Sequence, residues 1–238
     1  MQEFHRAQAR VGTTDMSIDQ GLRSYMLGVY NHMAIAMLIS GLVALFAASS
    51  PALMQAIFTT PLKWVVMFAP LVFVFAFSMK IMSMSPSAAR WTFYAFSAVM
   101  GLSISWIFLA FTAVSVLKVF FITAAAFGGL SLYGYTTKRD LSPMGTFLIM
   151  GVIGLIIASL ANLFFQSSAL AFAVNVIGVL IFAGLTAFDT QRIKHTYYQV
   201  AGDATMAART SILGALSLYI NFLNLFMFLL QFLGTARE

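Results

Sequence analysis

The chain has 238 residues, of which 61% are hydrophobic and only 8% charged, and its mean hydropathy is +0.92. Soluble domains carry roughly 25% charged residues, so a water-soluble fold is excluded and a polytopic membrane protein is indicated. In a chain this apolar the net charge of +6 reads as membrane orientation and not as nucleic-acid binding, and the lack of cysteine rules out disulfides, thiol catalysis and thiolate metal centres.

The first two dozen residues hold Glu3, Arg6, Arg10, Asp15, Asp19 and Arg23 with no apolar stretch among them. They contain no cleavable signal peptide, and a polar cytoplasmic tail is expected over residues 1–24. A hydrocarbon core about 30 Å thick takes about 20 apolar residues as helix. Seven runs meet that length, approximately Tyr25 to Ala48, Trp64 to Met82, Trp91 to Thr112, Val116 to Tyr135, Met144 to Phe165, Ala169 to Phe188 and Ile212 to Phe232. The breaks are marked by Pro51, Pro61 and Pro86, by Thr112 to Ser115, Lys138 to Pro143 and Gln166 to Ser168, and by Thr190 to Thr210, the only long one. The expected architecture is all-α, with one seven-helix domain over 25–238.

Lys and Arg mark the cytoplasmic flanks of membrane spans. With the N-terminus inside, Arg6, Arg10, Arg23, Lys80, Arg90, Lys138, Arg139, Arg192, Lys194 and Arg209 fall on the cytoplasmic side. Only Lys63, Lys118 and Arg237 fall on the other. An odd number of spans then puts the C-terminus across an inner, or plasma, membrane.

Small residues spaced by four give three helices a seam for close approach: Ser97, Gly101 and Ser105; Ala125 and Gly129; Gly154, Ala158 and Asn162. In the last span Ser217, Asn221, Asn224 and Gln231 share a stripe, which places that helix inside the bundle with its amides toward other helices.

Asp189, in the run FAGLTAFDTQRIK, is the only acidic residue inside or hard against an apolar segment. A carboxylate at bilayer depth costs roughly 2.5 to 3.5 kcal/mol on insertion scales, so it needs a partner or a wet cavity. It is either an interfacial carboxylate paired with Arg192 or Lys194, or a buried titratable group whose proton or cation occupancy sets a conformational equilibrium. Lys80 either snorkels at the end of the second span or latches onto Asp189. Asn221 and Asn224 are interhelical hydrogen-bond partners or oxygen ligands along an ion path. His32 has no second histidine at ligand spacing and reads as a packed imidazole, and Asp140 as part of a charged turn. HExxH, GxSxG, Walker and GxGxxG motifs are all missing, and the last span has no lysine for a retinal Schiff base. Neither an enzyme nor a cofactor is expected.

Three stretches, YGYTTKRDLS (Tyr133 to Ser142), AFDTQRIK (Ala187 to Lys194) and SLYINFLNLF (Ser217 to Phe226), resemble the bacterial branch of the Bax inhibitor-1 family. The resemblance covers the chain from Tyr25 onward and implies a fold in which the last helix is surrounded by the other six. It also implies a pH-sensitive calcium leak with two proton-sharing aspartates and a basic latch. The first aspartate matches Asp189 and the latch Lys80, but the second position is Asn221, which cannot share a proton as a carboxylate pair does. Contact between Asp189 and Asn221 requires the last helix to begin before Arg209 or to sit at an offset. The resulting expectation is a calcium or other cation path gated by Asp189 and Lys80, with Asn221 and Asn224 along it and Asp189 as a calcium ligand. The alternative is a non-conducting regulator that binds another membrane protein, such as a membrane-anchored protease, through the polar N-terminal tail.

Overall fold

The computed structural model describes the backbone of residues 2–237 and the side chains of residues 20–237. It consists of α1 (Gln2–Ala48), α2 (Pro51–Phe58), α3 (Leu62–Lys80) ending in a 3-10 turn (Ile81–Ser83), α4 (Pro86–Ile104), α5 (Ile107–Ala110), α6 (Ala113–Thr136), α7 (Ser142–Phe165), α8 (Ser168–Val200) and α9 (Ala204–Leu233). Seven of these segments are long and apolar enough to cross a membrane. The polar tail expected over 1–24 lies largely outside the described side chains, and within the described ones packing begins at Leu22 and Tyr25.

Local chemistry sets most helix starts. Ser50, Ser85, Thr112 and Ser167 each accept a backbone N–H from their own first turn, and Pro51 and Pro86 stand at first helical positions where a missing N–H costs nothing. Gln166, at φ 48°, closes α7 in the left-handed conformation.

The expected long break from Thr190 to Thr210 does not exist. α8 continues to Val200 and α9 starts at Ala204, with Asp203 accepting from the N–H groups of Thr205 and Met206. Hydropathy falls after Phe188, but nothing there breaks a helix until Gly202. The chain therefore leaves the apolar layer without leaving the helix.

α9 is the most buried span, with 61% of its apolar window covered against 11 to 33% for the other six. Its main neighbours are α8, α1, α6 and α4, while α3 packs on α4 and α7 on α8. At its middle Tyr219, fully buried, bonds to Ser40 of α1, and Ser40 also donates to the Ser97 carbonyl of α4 at 2.7 Å. One hydroxyl thus joins three helices, enclosed by Phe93 and Phe96 edge-on to the Tyr219 ring.

The three small-residue seams face protein unequally, and Ala158 of the third packs against a buried cluster that includes Val174 and Ile181 of α8. A Cβ at Gly101 would run into the Ser40 backbone, whereas at Gly129 or Gly154 it would meet nothing within 4 Å. The tighter contact is at Gly134, where α6 lies directly on the Ala187 carbonyl of α8.

Candidate functional site

Asp189 lies well inside α8 and is 7% exposed. Asn221 of α9 donates from Nδ2 to Asp189 Oδ2 at 2.7 Å, and Arg192, one turn on, places Nη2 2.7 Å from Oδ1. The same Nη2 is 3.3 Å from Ser217 Oγ of α9, and the guanidinium lies 5.6 Å over the Phe188 ring. Asp189 is thus buried, and its counter-ion is Arg192, the nearer of the two basic neighbours expected for it. The early start of α9 at Ala204 satisfies the depth condition for contact with Asn221.

α8 and α9 are joined here by two parallel links, Asp189 to Asn221 and Arg192 to Ser217. Only the first puts a charged group in a buried place. Among the described residues Asp189 is the sole buried acid.

The remaining candidates are placed less centrally. Lys80 is exposed at the end of α3 and makes no ion pair with Asp189; among the described residues its ammonium has no partner. Asn224 donates to the Ile220 carbonyl of its own helix, and Gln231 is exposed, so the polar stripe of α9 meets α8 only at Ser217 and Asn221. His32 Nδ1 and the Tyr94 hydroxyl are 2.8 Å apart.

Gln191 is the residue that composition and spacing do not reveal. Buried next to Thr190, it accepts from Leu141 N at 2.8 Å and donates to the Arg139 carbonyl at 2.7 Å. Lys194 donates to the Tyr135 carbonyl at 2.9 Å, and Asp140 accepts from Ser142 N at 2.9 Å. The YGYTTKRDLS and AFDTQRIK stretches are thus one unit, with α8 holding the turn between α6 and α7.

Among the described residues no group of three or more His, Cys, Asp or Glu side chains could hold a metal ion. Calcium takes six to eight oxygens, and both oxygens of Asp189 already have partners. The donor set does not make a resident calcium centre, so calcium enters below only as cargo.

Seven apolar helices, with one buried, paired carboxylate among the described residues, make this an all-α polytopic membrane protein. The model of the family described as "Inhibitor of apoptosis-promoting Bax1" matches residues 22–238, and the chain belongs to this Bax inhibitor-1 family. It is 48% identical to an uncharacterized protein of Caulobacter vibrioides, over the whole of both chains. It is 45% identical to protein RP147 of Rickettsia prowazekii, covering 93% of this chain and 94% of the other. It is 43% identical to the inner membrane protein YbhL of Escherichia coli, covering 91% and 94%.

Proposed function

We propose that the protein provides a slow, gated path for calcium or a related cation, with Asp189 as the titrating group of the gate. The observation that supports it is the position of Asp189: buried, bonded across helices by Asn221, and neutralised by an arginine that reaches outward. The ionised carboxylate holds Arg192 against Ser217 and so locks α8 to α9. A proton on Asp189 removes the charge that holds Arg192, while the remaining carbonyl oxygen still accepts from Asn221. One of the two interhelical links loosens and the other stays, which shifts the population between two packings of the bundle. Asn221 and Asn224 supply neutral oxygens to a passing cation. In this reading the chain sits in an inner membrane with its N-terminus cytoplasmic, which is supported by the name of its Escherichia coli relative and by the distribution of Lys and Arg. No catalytic step is part of this function.

Calcium flux into indicator-loaded liposomes between about pH 6 and pH 8 tests it. The native chain is expected to show pH-dependent flux, Asp189→Asn a flux independent of pH, and Asn221→Asp a steeper pH response. Equal flux from all three and from protein-free liposomes ends the proposal.

The rival is a non-conducting regulator that grips a membrane-anchored protease or another membrane protein through the polar segment carrying Glu3, Arg6, Arg10, Asp15 and Asp19. Deleting residues 1–19, which leaves Leu22 and Tyr25 in place, abolishes partner binding under the rival and leaves flux intact under the gate.

A further inference from the structure

The bundle is open on one flank. α1 and α6 both pack on α9, and between them lies an open cavity of about 1230 Å³ with Phe222 and Phe226 of α9 among its lining residues. It extends from Arg23 and Tyr135 at one end to Leu45 and Ala113 at the other. The span from Arg23 to Leu45 is about 33 Å of helix, close to the thickness of a hydrocarbon core.

The sequence makes this groove by omission. Gly41 of α1 and Gly128 of α6 line it, and a Cβ at either would meet nothing within 4 Å. These two glycines are not close-approach sites. They keep space clear.

Two features bear on what would fill that space. Ser131 lines the groove, is 5% exposed, and its hydroxyl has no hydrogen-bond partner. A helical serine or threonine usually spends its proton on the carbonyl one turn back, as Thr123 of the same helix does on Val119 at 2.8 Å. Ser131 instead leaves a buried hydroxyl unmet in the wall of an apolar cavity, where an unmet hydrogen bond is costly. The second feature is charge. Arg23 lines the near end, and Lys194 stands 5.0 Å over the ring of Tyr135, which also lines it.

A ligand for this groove therefore needs an anion at the Arg23 end and a hydrogen-bond acceptor somewhat deeper. Ser131 lies about 7 Å of helix below Thr136, the end of α6. Beyond that the ligand must be a long apolar chain. Phosphate, ester carbonyl and acyl chain occur in that order in one molecule class. We propose that the groove between α1 and α6 binds an anionic glycerophospholipid. Its phosphate sits at Arg23, an ester carbonyl accepts from Ser131, and its acyl chains lie over Gly41 and Gly128. The outer face of α7 is the internal contrast: Ile153, Ile157 and Leu160 project outward there, a surface for ordinary boundary lipid.

The experiment uses the full chain in phosphatidylcholine nanodiscs doped with a phosphatidylglycerol or a phosphatidylcholine carrying a diazirine on its acyl chain, with crosslinks mapped by mass spectrometry. Labelling is expected to concentrate on α1 and α6, with phosphatidylglycerol favoured. Gly41→Leu with Gly128→Leu, built into empty space, is expected to cut that labelling several-fold and leave α7 labelling unchanged, which also reports that the variant is folded. Arg23→Gln is expected to remove the preference for phosphatidylglycerol, about fivefold for one basic residue at an anionic surface. Ser131→Ala is expected to weaken both lipids alike. Native mass spectrometry of the unsubstituted protein is expected to retain one phosphatidylglycerol. Labelling of α1 and α6 no denser than α7, indifference to the leucines, or equal labelling by the two lipids unaltered by Arg23→Gln would overturn the assignment.

Discussion

Arg192 reaches back one turn along α8 to set its Nη2 2.7 Å from Asp189 Oδ1, and 51% of its side chain remains exposed while that of Asp189 is 9% exposed. The pair joins a buried carboxylate to the outside of the helix layer. An ion pair sealed from water would have no such connection.

The pair is expected to show coupling. Breaking a fully buried ion pair costs about 3 to 5 kcal/mol, and the exposure of Arg192 lowers that to a coupling of about 1 to 3 kcal/mol. Arg192→Gln leaves a buried charge with only an amide for company, and Asp189→Asn relieves it. In thermal unfolding in detergent, the double variant should be less destabilised than the sum of the single ones. Strict additivity would show that the guanidinium is an idle neighbour.

The Tyr219 node separates hydrogen bonding from packing. Tyr219→Phe leaves Ser40 bonded to the Ser97 carbonyl and should cost about 1 kcal/mol. Tyr219→Ala opens a cavity between Phe93 and Phe96 and should cost about 3 to 5 kcal/mol. Denaturant titration in mixed micelles ranks the two, and equal losses would contradict the assigned geometry.

Two glycines of α6 should respond oppositely to alanine. At Gly134 the new methyl meets the Ala187 backbone carbonyl, which cannot rotate away, so Gly134→Ala should destabilise by about 1 to 3 kcal/mol. At Gly129 it meets open space, and the gain in helix propensity, up to about 1 kcal/mol, should leave stability unchanged or raised. Melting temperatures of the two variants decide it.

Gln191→Leu should free the turn between α6 and α7, because both backbone groups the amide holds lose their partner. Trypsin cleavage after Lys138 and Arg139 should accelerate, with the spans still protected. Unchanged cleavage would mean that the amide is dispensable.

The same turn should answer to acid. The hydrogen bond from Ser142 N holds the Asp140 carboxyl below the usual carboxylate range. A lowered native pKa means that its stabilisation is present above the unfolded value, about 3.9, and is lost as pH falls through the native one. Amide exchange around Ser142 should therefore stay slow through mild acid and quicken only below the ordinary carboxylate range, and Asp140→Asn should lose that pH dependence.

The membrane class, the seven spans and the placing of one acid against an apolar run could all be read from residue order. They depend on transfer free energy along one dimension, and long apolar runs state it directly. What the order of residues did not contain was direction. A spacing of four defines a helix face but not what that face meets, so Gly101 and Gly129 look alike in sequence and only Gly101 touches a neighbour. Nor does falling hydropathy end a helix, which is why α8 runs eleven residues past Asp189 to Val200 and α9 begins early enough to bring Asn221 to it. That Asn221 reaches Asp189, that Gln191 holds the distant turn, and that Gly41 and Gly128 border a groove were decided by the packing of helices on one another. Those contacts join residues far apart in the chain, and no local pattern encodes them.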